Sequence, residues 1–94
     1  MADDDSYIKV PAARLDYTWG WTDWLADIDD TISSATVTVP DGLTAVGQPV
    51  VTDTDVTQRI SGGTLDNTYR MVCQITTVGG LIDERPIDLT ISNR

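Results

Sequence analysis

The stretch LDYTWGWTDWLADIDDTI, residues 15–32, holds all three tryptophans of a chain that has no phenylalanine. The core must be built on it. Leu15, Tyr17, Trp19 and Trp21 recur at every second position, with Asp16, Thr18 and Gly20 between them, which is the period of a strand with one buried face. Beyond Trp21 the period changes. Thr22 can cap the following amides with its hydroxyl, Asp23 suits the positive end of a helix dipole, and Trp24 and Leu25 fall on one side of a turn. One helical turn folded under the strand is predicted.

Outward from this stretch the chain reads as β. Ser34, Thr36 and Thr38 alternate with Ala35, Val37 and Val39, and Pro40-Asp41-Gly42 closes the run with turn chemistry. Residues 48–54 and 56–61 supply two more short strands, the second with Val56, Gln58 and Ile60 on one face. Tyr69, Met71, Cys73 and Ile75 share a face of a longer strand, and Ile87, Leu89 and Ile91 share a face of the last. Those two must pair antiparallel across Val78-Gly79-Gly80. A simple two-residue turn would set Asp88 opposite Met71 on the buried side. Either the loop holds three residues, or a bulge lies near Arg85-Pro86, where proline has no amide to donate.

Short strands between turn signals, with no helix beyond one turn, define the expected fold class as all-β. The expectation is an immunoglobulin-like antiparallel β-sandwich of about seven strands over residues 15–94, with an extended N-terminal arm over residues 1–14. Asp66-Asn67-Thr68-Tyr69 leading into an alternating strand resembles a tyrosine corner, and Met71 stands where immunoglobulin domains carry a disulfide cysteine.

Composition removes several classes of function. Ninety-four residues make one small domain, and a net charge of −9, from six basic and fifteen acidic residues, argues against a nucleic-acid partner. No run approaches the roughly 20 apolar residues of a membrane helix. The start, MADDDSYIKV, is acidic where a signal peptide would be basic and then apolar. A soluble protein made in the cytoplasm, with no membrane partner, is expected. Cys73 is the single cysteine and histidine is absent, so neither a disulfide nor a familiar zinc site can form within the chain. Asp27, Asp29 and Asp30 lack the glycine and later glutamate of an EF-hand loop, and no metal or other cofactor is expected. Asp83 and Glu84 are adjacent on a strand and point to opposite faces. Ser61-Gly62-Gly63 has no histidine to serve as base. No catalytic residues are expected.

Residues 1–14 show no periodicity, yet Tyr7, Ile8 and Val10 beside Pro11 give an extended segment side chains with which to dock on a neighbouring surface. Such an arm is expected to be flexible alone and ordered against a partner.

The order LDYTWGWTDWL, DTISSATVTVPDGL, ISGGT, then TYRMVCQITTVGGLIDERPIDLTI resembles the fiber-tail adaptor proteins of tailed bacteriophages, an immunoglobulin-like family, over roughly residues 15–94. The most specific matches are residues 21–25, Asp30-Thr31-Ile32 with Val39-Pro40, Ser61-Gly62-Gly63-Thr64, and Asp83-Glu84-Arg85. Gln58 and Arg59 stand where that family tends to carry an apolar or aromatic strand. The resemblance implies a virion structural protein, present in several copies, that joins a fiber to the tail or neck. Tyr7, Ile8, Val10 and Pro11 are the candidate partner-binding residues, with Asp83, Glu84 and Arg85 as the second set. A capsid decoration protein is the alternative within the virion, and a carbohydrate-binding module with a tryptophan platform is the alternative outside it.

If residues 15–32 are the centre of the core, Trp21→Ala removes about 3–5 kcal/mol of stability. Urea unfolding measures this directly. A cooperative transition within a few degrees of the parent's melting midpoint would contradict it.

Overall fold

Alternating apolar and polar residues decide which face each strand buries, and residues 5–93, which the computed structural model describes, follow that rule almost throughout. The elements are β1 (Asp5–Lys9), β2 (Leu15–Gly20), α1 (Thr22–Ile28), β3 (Ile32–Thr38), β4 (Leu43–Val51), β5 (Asp55–Gly62), β6 (Thr68–Thr77) and β7 (Ile82–Ile91). They form two sheets, one of order β1-β7-β6-β3 and one of order β2-β5-β4. This is the immunoglobulin arrangement, in which the second, fifth and fourth strands face the third, sixth and seventh. The sandwich is antiparallel except for β1, which runs parallel to β7 from Asp5 opposite Ile87 to Lys9 opposite Ile91.

The interior is filled from both sheets. Tyr17, Trp19, Trp21, Val56 and Ile60 come from one side, and Met71, Cys73, Ile75, Ile87, Leu89 and Ile91 from the other, all buried. Leu25 on α1 is buried as well, and Trp24 packs against it at one end of the core. Some expectations are corrected. Leu15, at the start of β2, is 37% exposed, and Tyr69 and Val37 are half-buried side chains packed against the core. The helix also runs further than one turn. Trp21, not Thr22, occupies its N-cap without a side-chain cap, and Asp29 ends it in the left-handed region at φ 52.

The β6–β7 register takes the first of the two solutions. Met71 lies opposite Ile87 and Tyr69 opposite Leu89, while Pro86 stays in register opposite Val72. The hairpin closes through Thr77 N–H to the Leu81 carbonyl at 2.8 Å and Gly80 N–H to the Thr77 carbonyl at 3.0 Å, leaving residues 78–80 as a three-residue loop. β4 starts earlier than expected, at Leu43, and its register against β5 shifts between Val46 and Val50. Gly47, at φ 75, occupies that irregularity. Buried Gln58 answers it by donating to the carbonyls of Gly47 at 3.2 Å and Arg59 at 3.0 Å. The tyrosine corner is present: the Tyr69 hydroxyl accepts the Thr64 N–H at 3.1 Å. Gly42, at φ 101, lies under the ring, where a Cβ would come within 2.7 Å of it.

For residues 5–9 the docking surface is the chain's own β7, whereas sequence reading expects an arm waiting for another molecule. Lys9 explains the difference. Its side chain is fully buried, and Nζ donates to the carbonyls of Gly62 at 2.6 Å, Val10 at 2.9 Å and Pro11 at 3.3 Å. Three acceptors for three donors satisfy the ammonium. Desolvation nevertheless holds its pKa below the ordinary 10.5. A folded-state pKa below the unfolded one means that the unfolded chain binds more protons in the window just under 10.5, so stability rises with pH there. In paired urea titrations the parent gains on Lys9→Met across that window. Parallel pH curves would show the ammonium to be solvated.

Candidate partner-binding surface

Asp83 and Arg85 face inward from β7, and Glu84 between them faces out, as alternation along a strand requires. The indole N–H of Trp21 donates to Asp83 Oδ2 at 2.9 Å, and the Arg85 guanidinium lies 5.1 Å from the Trp21 ring centroid. Arg85 also donates through Nη1 to the Gly20 carbonyl and stands 3.8 Å from Asp83. Arg85 therefore pairs with Asp83 and with the end of β2, not with its neighbour Glu84. Above this arrangement is a cleft of about 540 Å³ between α1 and β7, lined by Thr22, Asp23, Trp24 and Asp27 besides Trp21 and Arg85. Of the second candidate set, only Glu84 is left as a fully exposed side chain.

The first set lies elsewhere. β1 and β2 are the edge strands of their respective sheets and share one flank, where the Tyr7 and Tyr17 rings approach to 5.5 Å between centroids. A groove of about 400 Å³ runs there, lined by Tyr7, Ile8, Leu15, Asp16, Tyr17 and Thr18. Tyr7 is 43% and Ile8 50% exposed. Val10 and Pro11 are half-buried and spend their carbonyls on Lys9. The flank is thus carried by Tyr7 and Ile8, with Leu15 as the member that sequence reading assigned to the core. The two sets do not converge. Tyr7 is opposite Leu89, six residues along β7 from Asp83, or about 20 Å at strand rise.

The β2 edge is the more accessible template. On the other flank β4 carries Pro49 within its register shift, and β3 is irregular between Ile32 and Ser34, devices that blunt an edge against pairing. β2 holds an uninterrupted register with β5 from Leu15 to Gly20 on its inner side. On the sandwich faces charges are matched: Arg59 with Asp16 at 2.9 Å and Arg70 with Asp88 at 2.8 Å.

Nothing in this geometry assembles reactive groups. Burial pushes the Cys73 thiol up to about 12, which marks a core side chain and not a nucleophile. Among the described residues no three carboxylate, cysteine or histidine side chains converge on a point. Asp30, from the acidic run after α1, instead accepts the Thr31 N–H at 2.9 Å and the Gly79 N–H at 3.2 Å. Trp19 and Trp21 are buried, so they form no flat platform for a sugar. No helix among the described residues is long and apolar enough to cross a membrane.

The class that the fold defines is the immunoglobulin-topology sandwich, here with a groove along one edge. More particularly, the chain belongs to the podophage fiber-tail adaptor family. The family model described as "Podophage GP4 fiber-tail adaptor protein gp77" matches residues 9–90. It is thereby a phage structural protein of the tail apparatus. Among curated proteins none matches the chain.

The split between Asp83 and Glu84 is measurable. Asp83→Ala leaves the buried Trp21 N–H without its acceptor and lowers stability by about 1–3 kcal/mol. Glu84→Ala leaves the urea midpoint nearly unchanged. Equal effects would contradict the inward and outward assignment.

Proposed function

We propose that this protein is a non-enzymatic joint that holds a fiber on the tail or neck of the particle, with several copies around the axis. The observation that carries the reading, beside family membership, is the β1–β2 flank. Two sheet edges there frame an apolar groove with Tyr7, Ile8 and Leu15 at its rim. An extended segment of a tail or fiber protein can add along β2, with main-chain bonds supplying affinity and the groove accepting alternate side chains. Tyr7 and Ile8 are the principal contacts, Val10 and Pro11 shape the turn that follows β1, and Asp83, Glu84 and Arg85 form the end of β7 on a different part of the surface. A permanent joint of this kind buries roughly 1,000 Å² or more per neighbour.

Ile8→Asp tests it. Ile8 is half-exposed, so the variant melts close to the parent. Supplied in trans to a phage lacking the gene, it fails to enter particles, and fibers are lost with it. Normal copy number and normal fiber retention would remove the flank as the docking surface.

A further inference from the structure

Three separate segments meet at the end of the sandwich that carries α1. Gly79 N–H reaches Asp30 at 3.2 Å, Val78 N–H donates to the Thr31 carbonyl at 2.9 Å, and Ile32 N–H donates to the Asp53 carbonyl at 2.9 Å. Trp21 N–H adds a bond to the Thr54 carbonyl at 3.0 Å. The β6–β7 loop, the β4–β5 turn and the C-terminal end of α1 are therefore one fixed surface.

That surface is apolar where turns are ordinarily polar. Val78 is 71% exposed, Ile82 64% and Leu81 48%, and Val51 at the end of β4 and Ile28 at the end of α1 are exposed as well. Gly79 and Gly80 make the turn. Nothing in the hairpin's hydrogen bonding requires Val78, Leu81 or Ile82 to be apolar. The segments that make up this end, α1 with the residue after it, the β4–β5 turn and the start of β7, carry Asp23, Asp27, Asp29, Asp53 and Glu84, all exposed. The faces of the sandwich match their carboxylates with arginine, but among the described residues this end has a single base, Arg85, already held over Trp21.

We infer that this end is a second docking surface, and that its occupant is a virion protein presenting an apolar socket rimmed by lysine and arginine. Charge complementarity selects that occupant. An apolar centre within a charged rim is the anatomy of a protein interface, and the rim sign sets which partner is admitted. A second copy of this chain docked end to end would bring like charges together, and nucleic acid or an anionic bilayer would be repelled. The inference deepens the adaptor reading, since a joint needs two surfaces that can be occupied together, and rests on it for the partner being a virion protein.

The test uses complete particles assembled in cells with a photo-crosslinking amino acid at Val78 or, separately, at Ile8. Val78 is expected to crosslink to a lysine- and arginine-rich peptide of one virion protein, and Ile8 to a different peptide. A triple variant, Val78→Ser, Leu81→Ser and Ile82→Ser, should melt like the parent and enter particles at about tenfold lower copy number. Replacing the five exposed carboxylates by their amides should weaken incorporation similarly while leaving the fold intact. A Val78 crosslink to a second copy of this chain, a crosslink to a peptide without basic residues, or normal incorporation of the triple variant would overturn the proposal. Exclusion of Ile8→Asp from particles, with the triple variant incorporated normally, removes this surface but leaves the adaptor reading in place; particles that keep their fibers when this protein is missing altogether remove the adaptor reading itself.

Discussion

Everything at the α1 end depends on how one indole is held. Trp21 closes β2, caps α1 by accepting the Leu25 N–H at 2.9 Å, ties to the β4–β5 turn through its own N–H, and reaches across the core to Asp83 on β7. Arg85 lies over the ring and donates to the Gly20 carbonyl. A single residue thus joins both sheets and the helix. Trp19, two positions earlier, shows what distinguishes the role: it is as deeply buried, but its indole N–H has no hydrogen-bond partner among the described residues. Trp19 contributes volume. Trp21 contributes volume and position, and position is what a disulfide would otherwise supply to a domain with one cysteine.

The other end is organised by a different device. Lys9 carries its ammonium into the space between β1 and Gly62, where three carbonyls meet it. Gly62 and Gly63, both at positive φ, let the backbone approach that closely, and a Cβ on Gly63 would come within 2.6 Å of Ile91. Lys9 therefore fastens β1 to the end of β5 as well as to β7. The β1–β2 groove exists because of this. β1 joins the sheet of β7 and leaves the β2 edge uncovered beside it.

Much of this was legible from periodicity. The alternation of Tyr17, Trp19 and Trp21, the odd positions of β6 and β7, the need for either a three-residue loop or a bulge in the β6–β7 hairpin, and the tyrosine corner all follow from side-chain direction and turn chemistry. What was not legible has physical reasons. Ala45, Gly47 and Pro49 are poor strand residues, so this part of β4 carries little signal; its pairing is held by β5 and by Gln58 filling the register shift. Lys9 reads as solvated in any sequence, because its burial depends on the carbonyl of Gly62, 53 residues away. Of the proposed site, the apolar character of Tyr7 and Ile8 in an unpatterned segment is what marks them in the sequence, and both are exposed beside the groove. The inward turn of Asp83 and Arg85 was available from strand alternation, but their common target, Trp21, was not. The Val78, Leu81 and Ile82 cluster did carry a signal: three bulky apolar residues around a Gly-Gly turn, where the turn itself asks for none.

The two surfaces are linked by a single element. β7 begins at the apolar end with Ile82 and runs to Leu89, which lies opposite Tyr7 on β1 and Tyr69 on β6. A pull between a partner on the α1 end and a partner on the β1–β2 flank would therefore act along the strand direction of β7. The bonds that resist it are those to β6 on one side and β1 on the other, and inter-strand hydrogen bonds lie across the strands. Load along the strand shears them together, whereas load across it would open them one after another. Along its C-terminal half, from Ile87 onward, β7 has a hydrogen-bonded neighbour on each side. The parallel placement of β1 has a mechanical consequence for the proposed joint: it adds a second row of bonds to the strand that spans the distance between the two proposed surfaces.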